Sequence, residues 1–241
     1  MSSGASGSDR QHRIGVVVPF DFALDREYWA FVPPDVSLHV TRTPFHDGAV
    51  GVPLARAVAE PAEAAEAVGS LVAIDPDVVA YACTSGSFVN GVAGERALRV
   101  AMEAAGARRT VTTSGGLLEA LRVLGIRRVA LGTPYVSELG ALLADFVIEA
   151  GVEAVSLANR DLDAGIADLG DADVERLAAA AFTPDAQAIF LSCTNLPTIG
   201  VLGRLEDRYG LPVLSANQVT MWAAVLAAGS DMPLSGIQPR R

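Results

Sequence analysis

Short runs of β-branched and other apolar residues alternate with Ala-, Glu- and Leu-rich segments along almost the whole chain. Ile14–Phe20 (IGVVVPF) is apolar on both faces, as a strand buried on both sides of a parallel sheet must be. Val36–Thr43, Asp77–Cys83 (DVVAYAC) and Arg109–Thr113 read as the next three strands. Pro61–Val72, Ala93–Ala105 and Leu117–Leu124 have helical spacing, the last closed by Gly125. The second half repeats this grammar. Strands are predicted at Arg128–Leu131, Val152–Leu157, Ala188–Cys193 (AIFLSC) and Pro212–Ser215. Helices are predicted at Glu138–Glu149, Asp173–Ala181, Ile199–Tyr209 and Val219–Ala228. Such alternation dictates an α/β fold of parallel sheets covered by helices.

The repeat also pairs residues. Pro19 ends the first strand and precedes Cys83 by 64 residues; Pro134 ends the corresponding strand and precedes Cys193 by 59. Each cysteine closes a strand and opens a polar turn, Cys83-Thr84-Ser85 in one half and Cys193-Thr194-Asn195 in the other. Ligands of open α/β sheets bind beyond the carboxyl ends of the strands. Two such halves facing each other would put one thiol on each side of a shared cleft. The expected organisation is a loose tail over residues 1–12, a first lobe over 13–115 completed by 219–241, and a second lobe over 116–218.

Composition removes several function classes. The 241 residues are 51% hydrophobic, enough for a substantial core, with no uninterrupted apolar stretch of membrane-spanning length. The N-terminal residues carry neither a secretory nor a transit pattern, so a cytoplasmic location is expected. The net charge is −10 without a basic cluster, which argues against nucleic-acid and anionic-membrane partners. All 18 basic residues are arginines. Without lysine there is no pyridoxal phosphate chemistry, no Schiff-base aldolase and no Walker-type phosphate loop. His12, His39 and His46 stand apart from the cysteines, so no metal site is expected. No dinucleotide fingerprint is present either. The expected partner is a small carboxylate, with self-association left open.

A lone cysteine at a strand end usually just packs. Two at matched places in a repeat, each followed by hydroxyl or amide side chains, point to chemistry instead. Thr84, Ser85, Thr194 and Asn195, with the turn N–H groups, are suited to hold a carboxylate whose charge grows as it becomes an enediolate. The same donors would lower the pKa of a neighbouring thiol. Tyr135, in Gly132-Thr133-Pro134-Tyr135, follows a strand at the same edge, and Pro19 and Phe20 follow the first strand.

At these residues the chain resembles the aspartate/glutamate racemase superfamily, from Ile14 to about Gly229. Leu191–Pro197 (LSCTNLP) is similar to the second catalytic-cysteine motif and Ala82–Ser85 (ACTS) to the first. IGVVVP, TSGG, RRVALGTPY and GLPVLSA look most like the branch of maleate cis–trans isomerases and arylmalonate decarboxylases. The resemblance implies two pseudo-symmetric Rossmann-like lobes, an active site in the cleft between them, and no cofactor. It also implies roles. In racemases the two cysteines work on opposite faces of the α-carbon; in maleate isomerases the first adds to the double bond. In the decarboxylases the first position lacks a cysteine, Thr-Ser and Tyr hold one carboxylate, and the second cysteine protonates the enediolate.

This chain combines Cys83 with the Thr84-Ser85 and Tyr135 set. It departs at Phe20-Asp21-Phe22, where maleate isomerases have a polar Ser/Asn stretch. The expected function is a cofactor-independent isomerase or racemase, maleate isomerase-like or Asp/Glu racemase-like, acting at the α-carbon or the adjacent double bond of a small carboxylic acid through Cys83 and Cys193. Thr84, Ser85, Tyr135, Thr194, Asn195, Pro19 and Phe20 are its expected substrate-binding residues. The alternatives are decarboxylation of a disubstituted malonate and non-catalytic carboxylate binding.

Overall fold

The computed structural model describes residues 11–234. Of the expected tail, residues 1–10 lie outside the described residues, while His12 already belongs to the first strand. In the first half the elements are β1 (His12–Val18), α1 (Asp25–Phe31), β2 (Val36–Arg42), α2 (Val52–Val58), α3 (Pro61–Gly69), β3 (Val78–Tyr81), α4 (Thr84–Phe88), α5 (Gly91–Ala104), β4 (Thr110–Thr112) and α6 (Thr113–Val123). In the second they are β5 (Arg128–Thr133), α7 (Ser137–Glu149), β6 (Glu153–Asn159), α8 (Asp171–Ala181), β7 (Ala188–Leu191), α9 (Leu202–Tyr209), β8 (Val213–Ser215) and α10 (Ala216–Ala228).

The expected α/β architecture of two parallel sheets is present. Each half forms a four-stranded sheet in the same spatial order, β2-β1-β3-β4 and β6-β5-β7-β8. In each sheet the order reverses between the first and third strand, the place where such sheets leave a crevice. Register aligns the strand ends there: Val17 lies opposite Tyr81, and Gly132 opposite Leu191. Ala82 N–H bonds the Val17 carbonyl at 2.7 Å and Ser192 N–H bonds the Gly132 carbonyl at 2.8 Å. These matched bonds carry each cysteine to the edge of its own sheet.

The two faces of the first sheet serve different purposes. Val17, Val79 and Tyr81 pack against Ala64 and Val68 of α3 and Leu98 and Met102 of α5. Ile14, Val16, Val18, Val78 and Ala80 point the other way, into a core continuous with that of the second half. The halves therefore share one interior. Within it α6 and α10 cross closely. A Cβ on Gly116 would stand 2.7 Å from the Val219 carbonyl oxygen, and Thr220 Oγ1 donates to Thr113 Oγ1 at 2.8 Å. The lobe boundaries expected at 115/116 and 218/219 fall inside these two helices. Thr113-Ser114-Gly115-Gly116 and Ala216-Asn217 form the first turns of α6 and α10, capped by Thr112 and Ser215.

A buried carboxylate ties the halves together. Glu27 on α1 accepts from the backbone N–H of Thr198 and from Ile199 N–H at 2.8 Å. It also accepts from Thr198 Oγ1 at 3.2 Å and Asn217 Nδ2 at 2.5 Å. Removing it would take the acceptor from four donors, three of them buried, and a buried donor left unpaired costs free energy. Glu27→Ala is expected to destabilise the protein by about 3–5 kcal/mol, the range for breaking a buried charged network. Urea unfolding checks this; a loss under about 1 kcal/mol, the size of one ordinary hydrogen bond, would contradict it.

Candidate active site

Residues from both sheet edges converge on one small cleft of about 50 Å³. Cys83, Thr84, Ser85, Pro19 and Phe20 come from the first half, and Tyr135, Cys193, Thr194 and Asn195 from the second. Every site residue expected from sequence therefore lines it. Val50, Leu54, Ala55 and Val58, on and before α2, add an apolar wall. A larger groove of about 800 Å³ between α5, α6 and α10 contains neither cysteine.

Cys83 is the N-cap of α4: its Sγ accepts from Gly86 N–H at 3.4 Å and lies 3.8 Å from Ser85 Oγ. Gly86 is required here, because a Cβ would collide with the Tyr81 hydroxyl and stand 3.2 Å from Cys83 Sγ. Thr84 turns its Oγ1 inward, buried and without a hydrogen-bond partner. Its carbonyl is held by Ser87 Oγ at 2.9 Å and Ser114 Oγ at 3.3 Å. An unpartnered buried hydroxyl beside a cleft is equipped to meet a polar ligand atom.

Cys193 takes another backbone. Its φ is +91°, a region that non-glycine residues rarely occupy and that costs roughly 1–3 kcal/mol. Leu196 N–H closes the turn on the Cys193 carbonyl at 3.1 Å, and the next helix, α9, starts only at Leu202. Pro197 accounts for this, since the residue before a proline is pushed away from the helical region. Strain of this kind clusters at functional positions.

The expectation of lowered thiol pKa values is overturned. Burial pushes Cys83 up from 9.0 to about 11, outweighing the opposing Gly86 N–H, Ser85 and Tyr81 hydrogen bonds; the Asp21 charge adds to the rise. Burial likewise pushes Cys193 up to about 12 against its hydrogen bonds from the Asn195 backbone and the Tyr135 hydroxyl, helped by the charges of Cys83 and Asp21. Desolvation disfavours the thiolate more than the donors favour it. Both thiols rest protonated.

Asn195 also departs from expectation. Its Oδ1 accepts from Ala23 N–H at 2.9 Å and its Nδ2 donates to the Asp21 carbonyl at 3.2 Å. The amide is committed to clamping the loop after β1 against the Cys193 turn. Asn217 Nδ2 holds the Thr194 carbonyl at 3.0 Å from behind. Arg42 secures the same loop, donating to the carbonyls of Pro19 (3.4 Å), Phe20 (3.1 Å) and Phe22 (2.8 Å). The two phenylalanines divide their roles. Phe20 lines the cleft and meets the exposed Phe45 ring edge-on at 5.2 Å. Phe22 is core, stacked on Tyr28 at 4.7 Å.

Tyr28 was not foreseen from sequence. Its hydroxyl is buried without a partner. Burial pushes its pKa well up, and ionisation of Cys83 or Cys193 would push it further. It lies on α1, a seven-residue helix that no periodicity announced. Among the described residues, no group of three or more His, Cys, Asp or Glu could hold a metal ion, and no helix is long and apolar enough to cross a membrane.

This geometry has counterparts. The family profile described as arylmalonate decarboxylase matches residues 56–238. An arylmalonate decarboxylase from Bordetella bronchiseptica is 38% identical over 159 residues, 63% of this chain and 65% of that protein, just under two thirds of its length. A maleate isomerase from Nocardia farcinica is 28% identical over 92% of both chains. Among solved structures, a liganded arylmalonate decarboxylase with glycine-to-cysteine and cysteine-to-serine substitutions superposes with a TM-score of 0.83. It is 30% identical, covering 95% of this chain and 96% of that one.

The backbone strain at Cys193 is separable from its thiol. Cys193→Gly and Cys193→Ala both remove the sulfur, but only glycine accepts positive φ freely. The glycine variant is expected to be more stable than the alanine variant by about 1 kcal/mol in denaturant unfolding. An alanine variant of equal or greater stability would mean that the turn relaxes without strain.

Proposed function

The chain belongs to the arylmalonate decarboxylase family, and on that premise we propose that it forms and reprotonates an enediolate at the α-carbon of a small carboxylic acid, without a cofactor, as an isomerase or racemase. The observation that carries this reading is the convergence of two thiols, one from each sheet, on a cleft with a free hydroxyl donor at Thr84. In the proposed cycle Thr84, Ser85 and Tyr135 hold the carboxylate. One cysteine, as thiolate, takes the α-proton from one face, and the other, as thiol, returns a proton to the opposite face. Neutral donors aimed at the carboxylate contribute most in the enediolate, where its charge is greatest. Cys83 is the residue that supports two-sided transfer over one-sided chemistry.

A second reading has its own support. Decarboxylation needs only a protonated Cys193, which is the resting form of that thiol, and an arylmalonate decarboxylase is the 38% identical relative. The apolar wall of Val50, Leu54, Ala55 and Val58 would then face the departing carboxylate.

The pH profile separates the two. Proton abstraction requires a thiolate, and at pH 8 roughly 10⁻³ of Cys83 and 10⁻⁴ of Cys193 is ionised, from pKa values of about 11 and about 12. Because those values are raised, the active form grows about tenfold per pH unit until pH approaches 11. NMR in D2O across 2-amino acids, 2-arylpropanoates, maleate and arylmalonates would identify turnover. For α-deuteration or isomerisation, kcat/KM is expected to rise with unit slope from pH 7 to 9.5. A flat profile with release of CO2 would replace this reading by decarboxylation.

A further inference from the structure

Among the described residues, Asp21 is the only charged one that lines the cleft. It is the third residue beyond β1, and its carboxylate has no side-chain hydrogen bond or ion pair among the described residues. Arg42, whose charge acts on it, has its Nη1 committed to three backbone carbonyls. Although Asp21 is exposed at the cleft mouth, partial burial raises its pKa, with its own backbone N–H and Arg42 only partly offsetting this. Its charge reaches inward far enough to push up both thiols.

Three kinds of surface thus surround the space beside the sulfurs. Thr84, Ser85 and Tyr135 offer neutral donors, Val50 and Leu54 an apolar wall, and Asp21 an anion without an ion pair among the described residues. A dicarboxylate held by the donors would turn its second negative charge toward Asp21 or the apolar wall, and both are unfavourable. A purely apolar monocarboxylate would desolvate Asp21 without compensation. A cation beside the carboxylate meets all three surfaces at once. We infer that Asp21 determines specificity by receiving an α-ammonium group, so that the substrate is a small 2-amino acid with an apolar side chain rather than a diacid. The cavity of about 50 Å³ restricts that side chain to a few atoms unless the walls move. An α-ammonium also withdraws electrons from the α-carbon, which eases removal of its proton by a scarcely populated thiolate.

The inference rests on the proposed α-carbon chemistry but is tested separately by binding. Protein-observed NMR titrations would compare alanine with propanoate, valine with 3-methylbutanoate, and maleate, on the wild type and on Asp21→Asn. The wild type is expected to bind each amino acid at least tenfold more tightly than its ammonium-free counterpart. Asp21→Asn should lose that preference and gain maleate affinity, with an otherwise unchanged spectrum. Wild-type preference for propanoate or maleate, no binding of either amino acid, or an undiminished preference in Asp21→Asn would each overturn the inference. Following α-deuteration in the same samples, and of 2-phenylpropanoate alongside them, keeps the two claims apart. Asp21-dependent binding without exchange sinks the reaction and spares the inference; exchange of 2-phenylpropanoate that ignores Asp21→Asn does the reverse.

Discussion

Glu27 lies inside the molecule and accepts hydrogen bonds from Thr198, Ile199 and Asn217. Those partners belong to the segment that follows the Cys193 turn and to α10, while Glu27 itself rides on α1, beside the loop that leads out of β1. The same Asn217 amide that donates to Glu27 also holds the Thr194 carbonyl. One carboxylate thereby sets where the second cysteine stands relative to the first. The Asn195 clamp on Ala23 and Asp21 repeats the connection nearer the solvent. The close α6–α10 crossing, possible only with glycine at 116, fixes the same relation from below. A two-sided site assembled from two sheets depends on such fasteners, because neither sheet alone determines the distance between the thiols.

The same enclosure decides the chemistry available. Burying both sulfurs makes thiolates scarce, and the nearby hydrogen bonds offset only part of that cost. What enclosure gives in return is a poorly solvated space where neutral donors act strongly on developing negative charge. A thiol of high pKa is a poor resting nucleophile, but its thiolate, once formed, is a strong base. This balance suits proton transfer at carbon better than attack by a permanently ionised cysteine. Cys193 adds backbone strain to the cost of the site, and an exposed Asp21 adds charge without an ion pair among the described residues.

Much of this was legible in the sequence. Runs buried on both faces announced the parallel strands, and the matched spacings Pro19–Cys83 and Pro134–Cys193 placed two thiols at corresponding sheet edges. Cys83, Thr84, Ser85, Tyr135 and Cys193 followed from that edge alone. Illegible features were those set by tertiary contact. The seven-residue helices α1 and α2 have too few turns for periodicity to show, so Tyr28 and most of the apolar wall went unseen. Asn195 has the right chemistry for a ligand donor, yet a loop 172 residues away occupies its amide. Thiol acidity followed the same rule: local sequence displays the donors that lower it, whereas the burial that raises it comes from both halves.

In the proposed cycle Cys83 and Cys193 approach one α-carbon from opposite faces. Its most direct test is α-hydrogen exchange in D2O, followed separately for each enantiomer of a turned-over substrate, in Cys83→Ser and Cys193→Ser. Each remaining thiol can exchange only the proton on its own side. Neither variant should interconvert enantiomers, while each should still deuterate one of them, and the two variants should deuterate opposite enantiomers. Exchange of the same enantiomer by both variants, or interconversion that survives the loss of either thiol, would contradict this cycle.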